Sequence, residues 1–546
     1  MALLSRSLLL LGFAVAAGLL ERVDAQDFSF RLSNTLGSNM VLQRAPRQAA
    51  VWGWSKPQDT VTVTVDKTPG VAATADSTGM WKAMLSPMEA GGPHVVTASS
   101  KANTTVLSME NVLFGDVYIC SGQSNMQFTL DQAFNATAEA AAADGFPNIR
   151  VFTVALKPSL KPELELLGIT EPWMAASKAS IGGGGAWKYF SAVCWLFGRD
   201  LYTSFDGKIP IGLISNNWGG TTVQSWSSAE ALEKCNQTLT EGAEDVQTWP
   251  DVTEQFSEEY FLGQSDSQGV NGPLASDLSI RYNGMISPYR PMQISGAIWY
   301  QGESNVGAGA RKGGEYYACQ FPAMIADWRV KFNQSDMYFG FVQLAPWLDG
   351  STNMTLIAEL RQSQLAALKL PKVGVATAAD HGDPTSPFGS IHPRDKQVVG
   401  ARLALNALGL HYGMTTMEYQ SPFPSGAEPV SVKAQGAGMF EVSIALSVTS
   451  SSVQLQWKLV NATCMEKVPP QECSTFEFQA ASDKSWHMAD SVSILDNKIT
   501  VTGVVPGTTA VQAHPVSGVR YAYSTWPVMT LYTAADLPLL PFTMAF

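Results

Sequence analysis

The chain has 546 residues, 45% of them apolar and 15% charged, with 46 glycines and 30 prolines spread along it; this suits two to four packed domains and excludes a long coiled coil or an extended disordered tract. Lys and Arg number 35 against 47 Asp and Glu, a net charge of −12. That is the wrong sign for a nucleic-acid partner, whose phosphates are held by cationic side chains.

Residues 1–25 combine Arg6, an apolar run at 8–20 and the small residues of Val23-Asp24-Ala25, the pattern of a cleaved signal peptide. The run is too short to cross a bilayer of about 30 Å, and no later segment is apolar enough for a membrane span. Six Asn-x-Ser/Thr sites start at Asn103, Asn135, Asn236, Asn333, Asn353 and Asn461, so N-glycans and passage through the secretory pathway are expected. In that compartment the six cysteines can form disulfides. Cys464 and Cys473 flank Pro469-Pro470 and read as a local pair, whereas the pairing of Cys120, Cys194, Cys235 and Cys319 is not legible. No C-x-x-C or H-E-x-x-H occurs, so neither a zinc site nor any other metal or organic cofactor is expected.

Residues 26–108 alternate apolar and polar side chains, as in Ala50-Val51-Trp52-Gly53-Trp54 and the Thr/Val run at 60–65, which predicts an N-terminal β domain. From 109 to 412 the pattern changes. Apolar runs at 116–120, 209–214, 294–300, 338–344 and 373–376 read as strands, and 125–134, 189–204, 355–368 and 393–408 as helices, the last with Pro393 in its first turn. Such alternation predicts an α/β domain with a doubly wound, mostly parallel sheet. Residues 413–546 return to β character, with strands at 453–457 and 499–502, and are expected to form a C-terminal β-sandwich-like domain.

In a doubly wound sheet, ligands bind beyond the carboxyl ends of the strands, where this sequence places its polar clusters. Ser124 in Gly122-Gln123-Ser124-Asn125-Met126 follows one strand and opens a helix, so its hydroxyl can be exposed at the sheet edge. The alternative is a helix-capping serine. Asn217-Trp218-Gly219-Gly220-Thr221 and Gln301-Gly302-Glu303-Ser304-Asn305 follow two other strands and offer amides that can stabilise an oxyanion; alone, each is equally a glycine turn or a capped helix start. A serine nucleophile needs a base. Of six histidines, His94, His487 and His514 fall in the flanking β regions and His411 follows the last helix, which leaves His381 and His392. His392, in a turn-rich loop ahead of a helix, is the candidate base, and Asp383 or Asp380 can orient its ring.

Taken together, Gly122–Met126, Trp218–Thr221, Trp299–Asn305 and Ser390–Lys396 resemble the blocks of the sialate O-acetylesterases, within the SGNH-type hydrolases. The strings Asn39–Arg44 and Ser191–Arg199 are similar to that family too, so the resemblance runs from about residue 28 to the end. It implies hydrolysis of O-acetyl esters on free or glycan-linked sialic acids, typically at the 9-position, in lysosomes or after secretion. By motif match Ser124 would be nucleophile and His392 base, with Gly219 or Gly220 and Gln301 or Asn305 completing the oxyanion hole. SGNH hydrolases usually carry Asp three residues before the histidine, where this chain has Gly389. The acid is therefore Asp383 in first place, Asp380 in second, or absent from a Ser-His dyad. Arg394 and Arg361 are candidates to pair with a sialic acid carboxylate. Two rivals are an acetylesterase for other carbohydrates such as acetylated xylan, and a carbohydrate-binding glycoprotein without turnover.

Overall fold

The computed structural model describes residues 28–236, 278–307, 313–348, 355–436, 438–449, 455–457, 476–495, 497–507 and 515–546. The leader expected at 1–25, the expected Cys464–Cys473 pair, His514, Asn353 and Asn461 lie outside them. No described helix is long and apolar enough to cross a membrane.

The architecture is mixed α/β with several open sheets. Its centre is a sheet in the order Ile169–Ala175, Ile149–Val154, Ile211–Asn217, Val106–Gly122, Gly296–Tyr300, Tyr338–Gln343 and Val373–Thr377, in which all but the first strand run parallel. Of the five expected strands, those observed at 211–217, 296–300, 338–343 and 373–377 are buried at every position, as is the 116–120 part of Val106–Gly122, as a sheet covered on both faces requires. Alternation along the strands shows the two covers. Tyr118 and Cys120 meet Phe197 and Cys194 of helix Ala192–Ser204, through a 5.0 Å ring contact and a disulfide. Trp299, the register partner of Ser121 and so on the opposite face, meets Phe321 and Trp328 of helix Gly314–Lys331. That helix also carries Cys319, bonded to Cys235.

Strand Val106–Gly122 is 17 residues long and runs straight through the expected boundary at 108. Its first half pairs with Gly91–Ser100 and Val41–Gln43 of the N-terminal region, its second half with the parallel sheet. One hydrophobic core therefore spans both regions. The C-terminal region has its own core, with Phe440, Val442 and Ile444 from one antiparallel sheet and Phe476, Phe478 and Tyr521 from another. The Thr60–Val65 and Lys498–Val504 strands alternate buried with less buried positions as their sequences predict.

Helix boundaries differ more. The helix expected at 125–134 is a single turn, Ser124–Gln127, followed by a 3-10 turn, Leu130–Gln132. Phe128 is extended between them, its carbonyl accepting from the Ala192 amide, and Thr129 with Gln132 forms a capping box that restarts the chain in a new direction. The last helix of the central region begins at Lys396, not Pro393, because the Asp395 carboxylate caps the amide of Val398.

Candidate active site

Gly122, Asn217 and Tyr300 are register neighbours at the carboxyl ends of three adjacent strands. The chain leaves Val106–Gly122 toward one edge of the sheet and later returns to build the other, so this is the topological switch point where a crevice opens. The turn after Gly122 is tight: its φ is +138°, and a Cβ there would stand 2.2 Å from the Tyr300 carbonyl oxygen. Only glycine allows the strand to swing Ser124 out at the crevice. Ser124 is partly exposed between the buried Gln123 and Asn125. The Cys120–Cys194 disulfide fastens the end of this strand to the helix behind it.

The loop before helix Lys396–Leu410 brings His392 to the same place. Its Nε2 lies 2.8 Å from Ser124 Oγ, across 268 positions of sequence. Its Nδ1 donates to the Phe388 carbonyl at 2.7 Å. Because a carbonyl only accepts, the ring proton sits on Nδ1 and the Nε2 lone pair faces the serine hydroxyl. Trp187 meets the ring edge-on at 5.0 Å and Phe128 lies roughly parallel at 6.5 Å. Burial, with the nearby Lys396 charge, pulls the His392 pKa down to about 4, so the imidazole is neutral at physiological pH.

The structure does not bring either expected carboxylate to the imidazole. Asp383 is bound by Arg394, Nε to Oδ2 at 2.6 Å and Nη2 to Oδ1 at 3.0 Å, and also accepts from Thr385. It staples the two ends of the loop that carries His392. Asp380 is held by Arg402 at 2.7 and 2.8 Å and accepts from Tyr532. His381, the other candidate base, sits between Asp395 and Asp380.

Other expected residues also have different surroundings. Gln301 is fully buried and its amide donates to Gln123, Thr221 and Asn305; Asn305, equally buried, accepts from Gln301 and from the Val223 amide and donates to Gln224. Both knit the strand ends together beneath the crevice, and neither side chain is turned to the hydroxyl. Gly219 lies against the serine, since a Cβ on it would be 3.3 Å from Ser124 Cβ, and its amide donates to Gln127 Oε1 at 2.6 Å. Gly220 follows at φ +72° with open space around it. Arg361 is 0% exposed and gives its donors to the carbonyls of Leu344, Ser524 and Thr525, a clamp to the C-terminal region; burial lowers its pKa to about 9. The Arg394 fork is taken by Asp383, and its guanidinium stacks over Phe134 at 4.7 Å. Arg361 thus has all three guanidinium nitrogens engaged, whereas Arg394 commits its Nε–Nη2 side to Asp383.

Three side chains that the motif blocks contain, without a role having been read for them, meet beneath the Ser-His pair. Asn125 donates through Nδ2 to Glu303 at 2.6 Å and to the Ile391 carbonyl at 2.8 Å, and Lys396 donates to its Oδ1 at 2.6 Å. A sequence signal existed for Lys396. A lysine at the first position of a helix faces the positive end of the helix dipole, an unfavourable place unless something else holds it there.

Comparison with known proteins places the chain in a family. Residues 276–406 match the carbohydrate esterase, sialic acid-specific acetylesterase family. The sialate O-acetylesterase of Mus musculus is 34% identical over 97% of both chains, and that of Homo sapiens 34% identical over 91% of this chain and 88% of its own. The chain belongs to the sialate O-acetylesterase family. Among solved structures, a carbohydrate acetylesterase from Xanthomonas citri has a TM-score of 0.72 at 29% identity, covering 94% of this chain and 99% of its own. Three residues before the histidine the chain has Gly389 at φ +86°, a conformation that a side-chain-bearing residue adopts only with strain.

Proposed function

We propose that the protein is a serine esterase of SGNH type that removes O-acetyl groups from sialic acids, with preference for the 9-position, through an acetyl-enzyme. The observation that carries this reading is the 2.8 Å contact between Ser124 Oγ and His392 Nε2, with the opposite ring nitrogen tied to a backbone carbonyl. Ser124 attacks the acetyl carbonyl as its proton passes to His392 Nε2, and the tetrahedral intermediate collapses as the imidazolium protonates the departing sugar oxygen. Water, deprotonated by the same nitrogen, then attacks the acetyl-enzyme, and the second intermediate collapses as the imidazolium returns the proton to Ser124 Oγ and acetate leaves. The Ser124 amide and that of Gly220 serve as oxyanion donors, because the Gly219 amide is engaged by Gln127. Orientation of the imidazole by the Phe388 carbonyl makes this a Ser-His dyad: the ring is held in the right tautomer, but the imidazolium gains no carboxylate charge.

Family membership supports the sialic acid substrate. Passage through the secretory pathway, to lysosomes or outside the cell, is supported by the two disulfides and by the exposed sequon residues Asn103, Asn135 and Asn333, which are open to N-glycans. Acetate release from 9-O-acetylated sialic acid, measured beside its 4-O-acetyl isomer and acetylated xylan, tests the substrate; turnover of xylan alone would overturn it. Fluorophosphonate labelling tests the nucleophile, and modification of a serine other than Ser124 would refute the mechanism.

A further inference from the structure

Beneath the reacting pair lies a buried polar group that the mechanism does not use. Lys396 is 1% exposed, with Nζ 4.6 Å from the Phe128 ring centre and 5.2 Å from that of Tyr300. Holding an ammonium so far from water is costly unless it is paired and hydrogen-bonded. Its ammonium donates to Asn125 Oδ1, and this bond has a geometric consequence. An amide side chain can be turned over, exchanging its oxygen and nitrogen; a lysine donor at one end fixes the oxygen there and commits both N–H groups to the other side. Those two N–H groups are the ones that reach Glu303 and the Ile391 carbonyl. Asn125 is the residue after Ser124, and Ile391 the residue before His392. One amide therefore joins the nucleophile's turn to the histidine's loop, and Lys396 decides which way round it lies.

We propose that Lys396 is a positioning residue for the esterase reaction, acting through Asn125 to hold the Ser124 turn and the His392 loop at hydrogen-bonding distance. The inference rests on the reading of Ser124 and His392 as nucleophile and base. With no carboxylate among the described residues hydrogen-bonded to the imidazole, the register of the loop falls to the Phe388 carbonyl and to this amide bridge.

The charge has a second effect with its own signature. Around Lys396 stand Glu303, from the turn after strand Gly296–Tyr300, and Asp395 and Asp383 from its own segment; burial outweighs them and lowers its pKa to about 7. Burial raises that of Glu303. Lys396 is the charged group that acts on His392, lowering its proton affinity further. Removing the charge should therefore raise the imidazole pKa and move the acid limb of the pH profile upward.

The test uses the full-length enzyme with an aryl acetate, counting active sites by fluorophosphonate labelling of Ser124. In Lys396→Met, kcat per labelled site should fall about 10–100-fold with KM nearly unchanged, by analogy with other side chains that only position a reacting group, and the acid limb should rise by about one pH unit. Lys396→Gln keeps an N–H donor without the charge and should recover much of kcat while retaining the raised limb. Asn125→Ala breaks the bridge with the ammonium in place, and should lose turnover with the limb unmoved. A structural role alone would reduce the amount of labelled enzyme and leave kcat per site and the limb where they were. If Lys396→Met does not fold, the other two variants still decide. Wild-type kcat per site in Asn125→Ala together with an unmoved limb in Lys396→Gln would overturn the proposal. Labelling at a different serine would instead overturn the underlying assignment of the nucleophile.

Discussion

Strand Val106–Gly122 carries a polar cluster near each end of its parallel half, and the two differ in how completely they are closed. At the amino end Asp116 is 2% exposed and accepts from Gln43, twice from Arg44, from Ser295 and from Tyr412, at 2.8–3.1 Å. Every contact is internal, joining the N-terminal region to the end of the last central helix. At the carboxyl end Ser124 is partly open, its hydroxyl faces a neutral imidazole, and Gly220 has space around it. Each cluster even has a half-buried histidine whose pKa burial lowers to about 4, His411 at one end and His392 at the other. A perturbed histidine is therefore no mark of a reaction centre; an accessible hydroxyl on its lone pair is.

This contrast can be broken from either end. Ser124→Ala should lower turnover by about 10⁴–10⁶-fold with thermal stability unchanged, as read by acetate release and a melting curve. Asp116→Ala should do the reverse, leaving kcat per labelled serine intact while costing about 3 kcal/mol of stability, because the buried part of Arg44 loses its partner. Chemical denaturation measures the loss, and wild-type stability would show the amino-end cluster to be incidental. Asp383→Asn separates the two possible roles of that carboxylate. An acid that orients the imidazole would cost about 10⁴ in kcat, whereas a loop staple to Arg394 should cost less than about 10-fold in activity per site and lower the melting temperature.

The smallest effect is in the pH profile. Because the His392 pKa is depressed, the base is competent above it, so kcat/KM should rise through a limb near pH 4–5 and already be flat at 6.5, where an ordinary imidazole is half protonated. Stability follows the same sign. The unfolded chain binds a proton on this ring as pH falls through 6.5 while the folded chain resists until about 4, so stability is lost across that window, with His411 adding to it.

The sequence by itself determined the central strands, the polar clusters that follow them, and the two side chains that meet. Strand and turn signals are local, and the position of a residue relative to a strand end places it in a parallel sheet. With six histidines, elimination narrowed the base to His381 and His392, and the turn-rich loop ahead of a helix and the motif match favoured His392. What only the tertiary structure decided is partnership. Asp383 and Asp380 lie near His392 in sequence and bond arginines instead; Gln301 and Asn305 stand at a strand end and turn inward; Arg361 faces a different region of the chain. The imidazole is oriented by a backbone carbonyl, which every residue has and no pattern reveals. A hydrogen bond depends on a few tenths of an ångström between groups that the chain brings together from far apart, and that distance is set by the packing of the whole core.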